Sequence, residues 1–277
     1  MTNLECRRCR ILAVCFLLIL VSAFADAQEL DVEKARMDLM RARAMSIKFS
    51  SQQEGFPPSL ESEPLFRYDN ATRGYVDGTV WRLGKTGRPL AIVTTELHPR
   101  YLGTRPVVVY DFLSLTLQPF AARAGDVSGW TPSTSAVQMQ VLDDAPQPAD
   151  NSAQRLFQMK QLATRFSASQ IVSKEDPEEK KRELRLLPRP IDRYQSATND
   201  GNEGAIFLFV AGRMPGIVML LETDGDKWVY GFGRLSAPST LSVYIDKKQV
   251  WIVPPDVGSW SASCTASNGP AQIPGIE

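Results

Sequence analysis

Histidine is nearly missing from this chain: among 277 residues there is one, His98. A histidine-built metal site is therefore excluded, and a Ser-His-Asp triad would have to use that single residue. No G-x-S-x-G stretch is present to carry the nucleophile of an α/β-hydrolase. Cysteine is scarce where it would matter. Cys6, Cys9 and Cys15 fall in the first residues, and only Cys264 lies beyond them. Once that leader is removed, neither an internal disulfide nor a cysteine-ligated metal can form. An excess of one charge is lacking too, with 31 basic and 31 acidic side chains. Nucleic acid and anionic membranes are held by clustered Lys and Arg, so neither is an expected partner. No GxxxxGK[ST] is present and no GxGxxG opens a helix, so no nucleotide and no other cofactor is expected.

What is present begins with a leader. Arg7, Arg8 and Arg10 precede an apolar run from Ile11 to Ala25. That run is shorter than the ~20 residues of a membrane-spanning helix. Ala25-Asp26-Ala27 fits the A-x-A cleavage rule, which makes residues 1–27 a signal peptide and Gln28 the first mature residue. Ala23-Phe24-Ala25 is a second cleavage site, and an uncleaved anchor is the competing reading. Cys15 precedes most of the apolar run, which argues against a lipoprotein. No later run could span a bilayer. The expected location is the periplasm, the cell envelope or the exterior.

The body of the chain repeats itself. Pro190–Gly204 (PIDRYQSATNDGNEG) aligns without a gap on Pro64–Gly78 (PLFRYDNATRGYVDG), at an offset of 126. Arg67-Tyr68 matches Arg193-Tyr194, and Asp77-Gly78 matches Glu203-Gly204. Amphipathic spacing predicts helices over 31–51 and from Ser152 to about Ser169. Leu39 and Phe49 match Leu156 and Phe166 at an offset of 117. Strand patterns follow each helix: Leu65–Tyr68, Thr79–Leu83, Leu90–Leu97, Pro106–Leu117 and Val137–Leu142, then Ala205–Val210, Ile217–Glu222, Trp228–Phe232, Leu241–Ile245 and Val250–Val253. Glu175–Glu183 reads as a charged loop. The expected fold is α+β, two tandem copies of a helix packed on an antiparallel meander of about five strands. The first copy would take residues 28–144 and the second 145–255, leaving 256–277 as a flexible tail.

Candidate chemistry is sparse. Asp77 and Glu203 hold the same place in both copies; brought face to face they would form a glycosidase-like or cation-binding pair. Read locally, Asp-Gly and Glu-Gly are turn residues ahead of a strand. Arg67, Tyr68, Arg193 and Tyr194 are candidates for holding an anion or an aromatic ligand, or else for packing the sheet edge. His98 reads as a loop histidine. No metal site is expected: Asp200-Gly201-Asn202-Glu203 and Asp224-Gly225-Asp226 do not complete a calcium loop. Cys264 could join two chains through a disulfide. Asn70-Ala71-Thr72 is a glycosylation sequon.

Several strings are distinctive: SAQRLFQMKQLATRF at 152–166, ELRLLPRPIDRY at 183–194, EGAIFLFV at 203–210, WVYGFGRLS at 228–236, VWIVPP at 250–255 and TVWRLGKTGRP at 79–89. Together they resemble an uncharacterised family of predicted secreted proteins of planctomycete-type bacteria. The resemblance implies a bacterial exported protein and transfers no catalytic residue. The expectation is a non-catalytic binding or interaction module of the periplasm or envelope, its partner an envelope protein or a small molecule. One alternative is a small-molecule binder with a helix–sheet cavity lined by Trp81, Tyr110, Phe207 and Tyr230. The other is a hydrolase using the paired acids.

Overall fold

Both helices stop earlier than their apolar stripes suggest. In the computed structural model, α1 covers 29–45 and α2 covers Ser152–Ala163. Asn151 caps α2 by accepting from the Gln154 amide, and the Thr164 hydroxyl closes the other end on the Gln161 carbonyl. Beyond each helix the chain turns into a strand. The structure describes residues 29–51, 59–70, 75–101, 105–116, 120–124, 129–172, 181–196, 202–235, 239–255 and 263–276. The leader, the Gly55–Pro58 break, Ala71-Thr72 of the sequon and most of the 175–183 loop lie outside them.

The first half contributes β1 (Lys48–Ser51), β2 (Phe66–Asn70), β3 (Tyr75–Leu83), β4 (Ala91–Tyr101), β5 (Arg105–Ser114), β6 (Phe120–Arg123) and β7 (Gln140–Val141). The second contributes β8 (Phe166–Val172), β9 (Lys181–Leu186), β10 (Asp192–Gln195), β11 (Glu203–Ala211), β12 (Met214–Asp224), β13 (Lys227–Arg234), β14 (Ser239–Ile245), β15 (Lys248–Val253) and β16 (Ser263–Pro270). One sheet has five strands in the order β16-β5-β4-β3-β2. A nine-stranded sheet runs β15-β14-β8-β9-β11-β12-β13-β7, with β10 also on β11, and β1 pairs with β6 alone.

This overturns the expected α+β class. Strands dominate the described residues, the large sheet is curled, and the same residues hold only two helices; the protein is mainly β and is not a pair of helix-plus-meander copies. Phe49 and Phe166 fall inside the stretches whose spacing predicts helix. They belong to β1 and β8, where alternate residues point inward. The segment expected as a loose tail carries β16, paired along β5.

What does recur is the ladder register around the two matched stretches. Tyr68 faces Gly78 and Gly78 faces Glu96; at the offset of 126, Tyr194 faces Gly204 and Gly204 faces Glu222.

Three apolar clusters hold the layers. Met40 and Ala44 of α1 pack on Trp81, Val93, Tyr110 and Phe112 of the five-stranded sheet. Met159, Leu162 and Ala163 of α2 pack on Phe207, Met219, Tyr230 and Phe232 of the large sheet. The opposite faces of the two sheets meet through Val80, Ile92 and Leu113 against Ile206, Leu208, Val218 and Leu220. Strands β11 and β12 are thus covered on both faces, which is why AIFLFV and IVMLL read as unbroken apolar runs.

Candidate functional site

The two Arg-Tyr pairs build the sheet edges. Each Tyr lies flat across a glycine on the next strand and reaches a glutamate on the strand beyond. The Tyr68 hydroxyl donates to Glu96 at 2.7 Å, and the Tyr194 hydroxyl donates to Glu222. A β-carbon at Gly78 would sit 2.7 Å from the Tyr68 ring, and one at Gly204 would sit 2.7 Å from the Tyr194 hydroxyl oxygen. Only glycine leaves room for the ring. Burial, reinforced by the Glu222 charge, pushes the Tyr194 phenol well above its ordinary value despite nearby Arg88. It therefore stays protonated and acts as a donor.

Each of the paired acids is held by its own arginines. Arg67 grips both oxygens of Asp77, Nε to Oδ1 at 2.9 Å and Nη2 to Oδ2 at 2.5 Å. Glu203 accepts from Arg155 at 2.9 Å and from Arg193 at 3.1 Å. Asp77 lies on β3 of one sheet and Glu203 on β11 of the other. Burial alone would raise the Glu203 carboxyl. Hydrogen bonds from Arg155 and Ser152 and the charges of Arg155 and Arg193 outweigh it and hold the group below its ordinary range. A carboxylate so held has no proton to donate at neutral pH, as a general acid must.

His98 is in β4 rather than a loop, with Nε2 2.9 Å from Glu96 Oε2. The four aromatic residues expected around one cavity are split. Trp81 and Tyr110 are buried in the core beneath α1, and Phe207 and Tyr230 in the core beneath α2. Cys264 stands in β16 opposite Phe112. No group of metal-ligating side chains occurs among the described residues, and no helix among them is long and apolar enough to cross a membrane.

Several important residues were missed. Arg82, from the first half, is buried and bonds Asp192 of the second at 2.7 Å while holding the carbonyls of Gly84 and Gly87. Arg88 forks onto both oxygens of Glu222. Arg213 reaches back to Asp69 at 2.5 Å. The first two pairs clamp the β3–β4 turn of one sheet onto the other, and the third ties the β11–β12 turn to β2. A signal existed for the glutamates, since Glu96 and Glu222 stand at the same offset as the tyrosines.

Two of the depressions at the surface of the described residues bear on this chemistry. One, of about 190 Å³, is lined by Glu33, Arg36, Arg67, Asp69, Asp77 and Arg213. Arg67 and Arg213 are already engaged there with Asp77 and Asp69, and Arg36 with the Pro274 carbonyl. The other is a groove between α2 and the segment joining β9 to β10. Its more polar lobe, about 370 Å³, is lined by Leu156, Lys160, Arg189, Pro190, Ile191 and Arg193, among others. A second lobe, about 250 Å³, shares Lys160 and reaches Ala163, Leu187, Pro188 and Phe207. Comparison with protein-family models, with curated proteins and with solved structures finds no match to the chain.

Proposed function

We propose that the chain is an exported, non-catalytic binding or interaction protein. The observation that carries this reading is the fate of the chemistry-bearing residues. Asp77, Glu203, Glu96, Glu222 and Asp192 are each bonded to an Arg, Tyr or His that fixes sheet edges or joins the two sheets. A carboxylate saturated by guanidinium contacts is a structural anchor. The leader supports export, and the groove along α2 offers the open surface on which a partner can act. The hydrolase reading needs Asp77 and Glu203 to face one another, and their separate arginine partners argue against it. The cavity reading needs its four aromatics around one space, and they are packed in two cores.

The test is turnover. The processed protein is assayed on glycoside, ester and peptide substrates beside Glu203→Gln. No turnover distinguishable from the Glu203→Gln background is expected. Hydrolysis that disappears with Glu203→Gln in a folded variant would overturn the reading.

A further inference from the structure

The backbone of the β9–β10 connection has a counterpart in the first half. Leu187 N donates to Leu208 O and Ile191 N to Ile206 O, as Glu61 N donates to Arg82 O and Leu65 N to Val80 O. All four residues keep the offset of 126, so Arg189 stands where the first half has Glu63. The helices correspond by burial: Met40 with Met159 and Ala44 with Ala163, each wholly or almost wholly buried. That offset of 119, which replaces the 117 expected from the apolar stripes, places Lys160 where the first half has Arg41, and Phe157 where it has Asp38.

The charge is kept at Lys160, inverted at Arg189 and lost at Phe157. In the first half Arg41 bridges the gap from helix to arch, meeting Glu63 at 2.6 Å and Asp38 at 3.5 Å. In the second, Lys160 and Arg189 line one groove as two cations, and no ion pair ties either of them among the described residues. Phe157, in place of Asp38, is 62% exposed. Pro188 and Pro190 flank Arg189; with φ fixed and no N–H to donate, they hold the arch in shape before anything binds.

We propose that this groove docks an extended segment of a partner polypeptide that carries a Glu or Asp beside a bulky apolar residue. Its carboxylate sits between Lys160 and Arg189, as Glu63 sits on Arg41. Its apolar side chain enters the lobe formed by Ala163, Leu187, Pro188 and Phe207. A lipid surface fits less well, because membrane-binding patches gather ~4–8 basic residues and this groove is lined by three, Lys160, Arg189 and Arg193, beside the acid Asp192. This proposal rests on the binding-protein reading and names its partner.

Random heptapeptides displayed on phage are selected on the processed protein, and a dye-labelled winner is titrated by fluorescence anisotropy. The enriched peptides are expected to share an acid next to Leu, Ile, Phe or Met. Replacing that acid by its amide should weaken binding at least about tenfold. Arg189→Glu, which rebuilds the first-half bridge with Lys160, should do the same without lowering the melting temperature, and Arg189→Lys should keep most of the binding. Selection of no peptide, selection of apolar peptides without an acid, or binding indifferent to Arg189→Glu would overturn the proposal. Binding instead to phosphatidylglycerol vesicles, lost in Arg189→Glu, would overturn it in favour of a lipid. None of these failures touches the wider reading, which is tested by turnover.

Discussion

Replacing Gly204 by alanine should be among the most damaging single-methyl changes in the protein. The new carbon would meet the Tyr194 ring and lie 2.7 Å from its hydroxyl oxygen. Tyr194 is nearly buried and packed with Ile206, Leu208 and Met214, so the ring has little space to retreat. Overpacking of this kind costs about 1–3 kcal/mol. If the ring moves, the hydroxyl also leaves Glu222, and a hydrogen bond to a charged group contributes about 1.5–3 kcal/mol. Together the loss should be about 3–5 kcal/mol. Urea unfolding of a double-mutant cycle isolates the cause. In a Tyr194→Ala background the clash has no partner, and Gly204→Ala should change stability by less than ~1 kcal/mol, the ordinary Gly-to-Ala difference in a strand. Equal cost in both backgrounds would refute the argument that the ring demands the glycine. Gly78 with Tyr68 should behave in the same way.

Gln170 is 1% exposed, and neither its amide nitrogen nor its oxygen has a hydrogen-bond partner among the described residues; Gln170→Met should raise stability by about 1–3 kcal/mol in urea unfolding. Asp192→Ala leaves the buried Arg82 guanidinium without its carboxylate and should cost about 3–5 kcal/mol by the same measurement. Glu203 is held below its unfolded value of 4.5, so its contribution is complete above that pH and is lost as pH falls further, through the folded value. Unfolding followed against pH should therefore show a shallower acid limb in Glu203→Gln, together with lower stability at neutral pH.

How much of this could be read from the sequence depends on which interactions are local. The matched PLFRY and PIDRY stretches, the Gly84–Gly87 turn and the unbroken runs of β11 and β12 carry their own signals, because each follows from alternation, turn residues or double-sided burial. The ends of the helices do not. Phe49 and Phe166 satisfy a helical spacing and a strand spacing equally well, and the choice is made by ladder partners far along the chain: Ala122 for Phe49 and Ile245 for Phe166. The same distance hid β16, whose partner β5 lies well over a hundred residues earlier. At the site, the Arg67–Asp77 link spans ten residues, short enough for a local pattern to reach. Arg82–Asp192 and Arg88–Glu222 span 110 and 134 residues, so no spacing rule reaches them. The groove was legible only as a difference between two matched stretches, Glu63 against Arg189, once the ladder had fixed which residues correspond.

The central claim is that the protein works by holding a partner. The most direct measurement is native mass spectrometry of the protein recovered from its own host's envelope or medium, wild type beside Arg189→Glu. The account predicts a wild-type species heavier than residues 28–277 by the mass of a bound polypeptide, with that excess absent in Arg189→Glu. A bare chain of the processed mass in both proteins would contradict it.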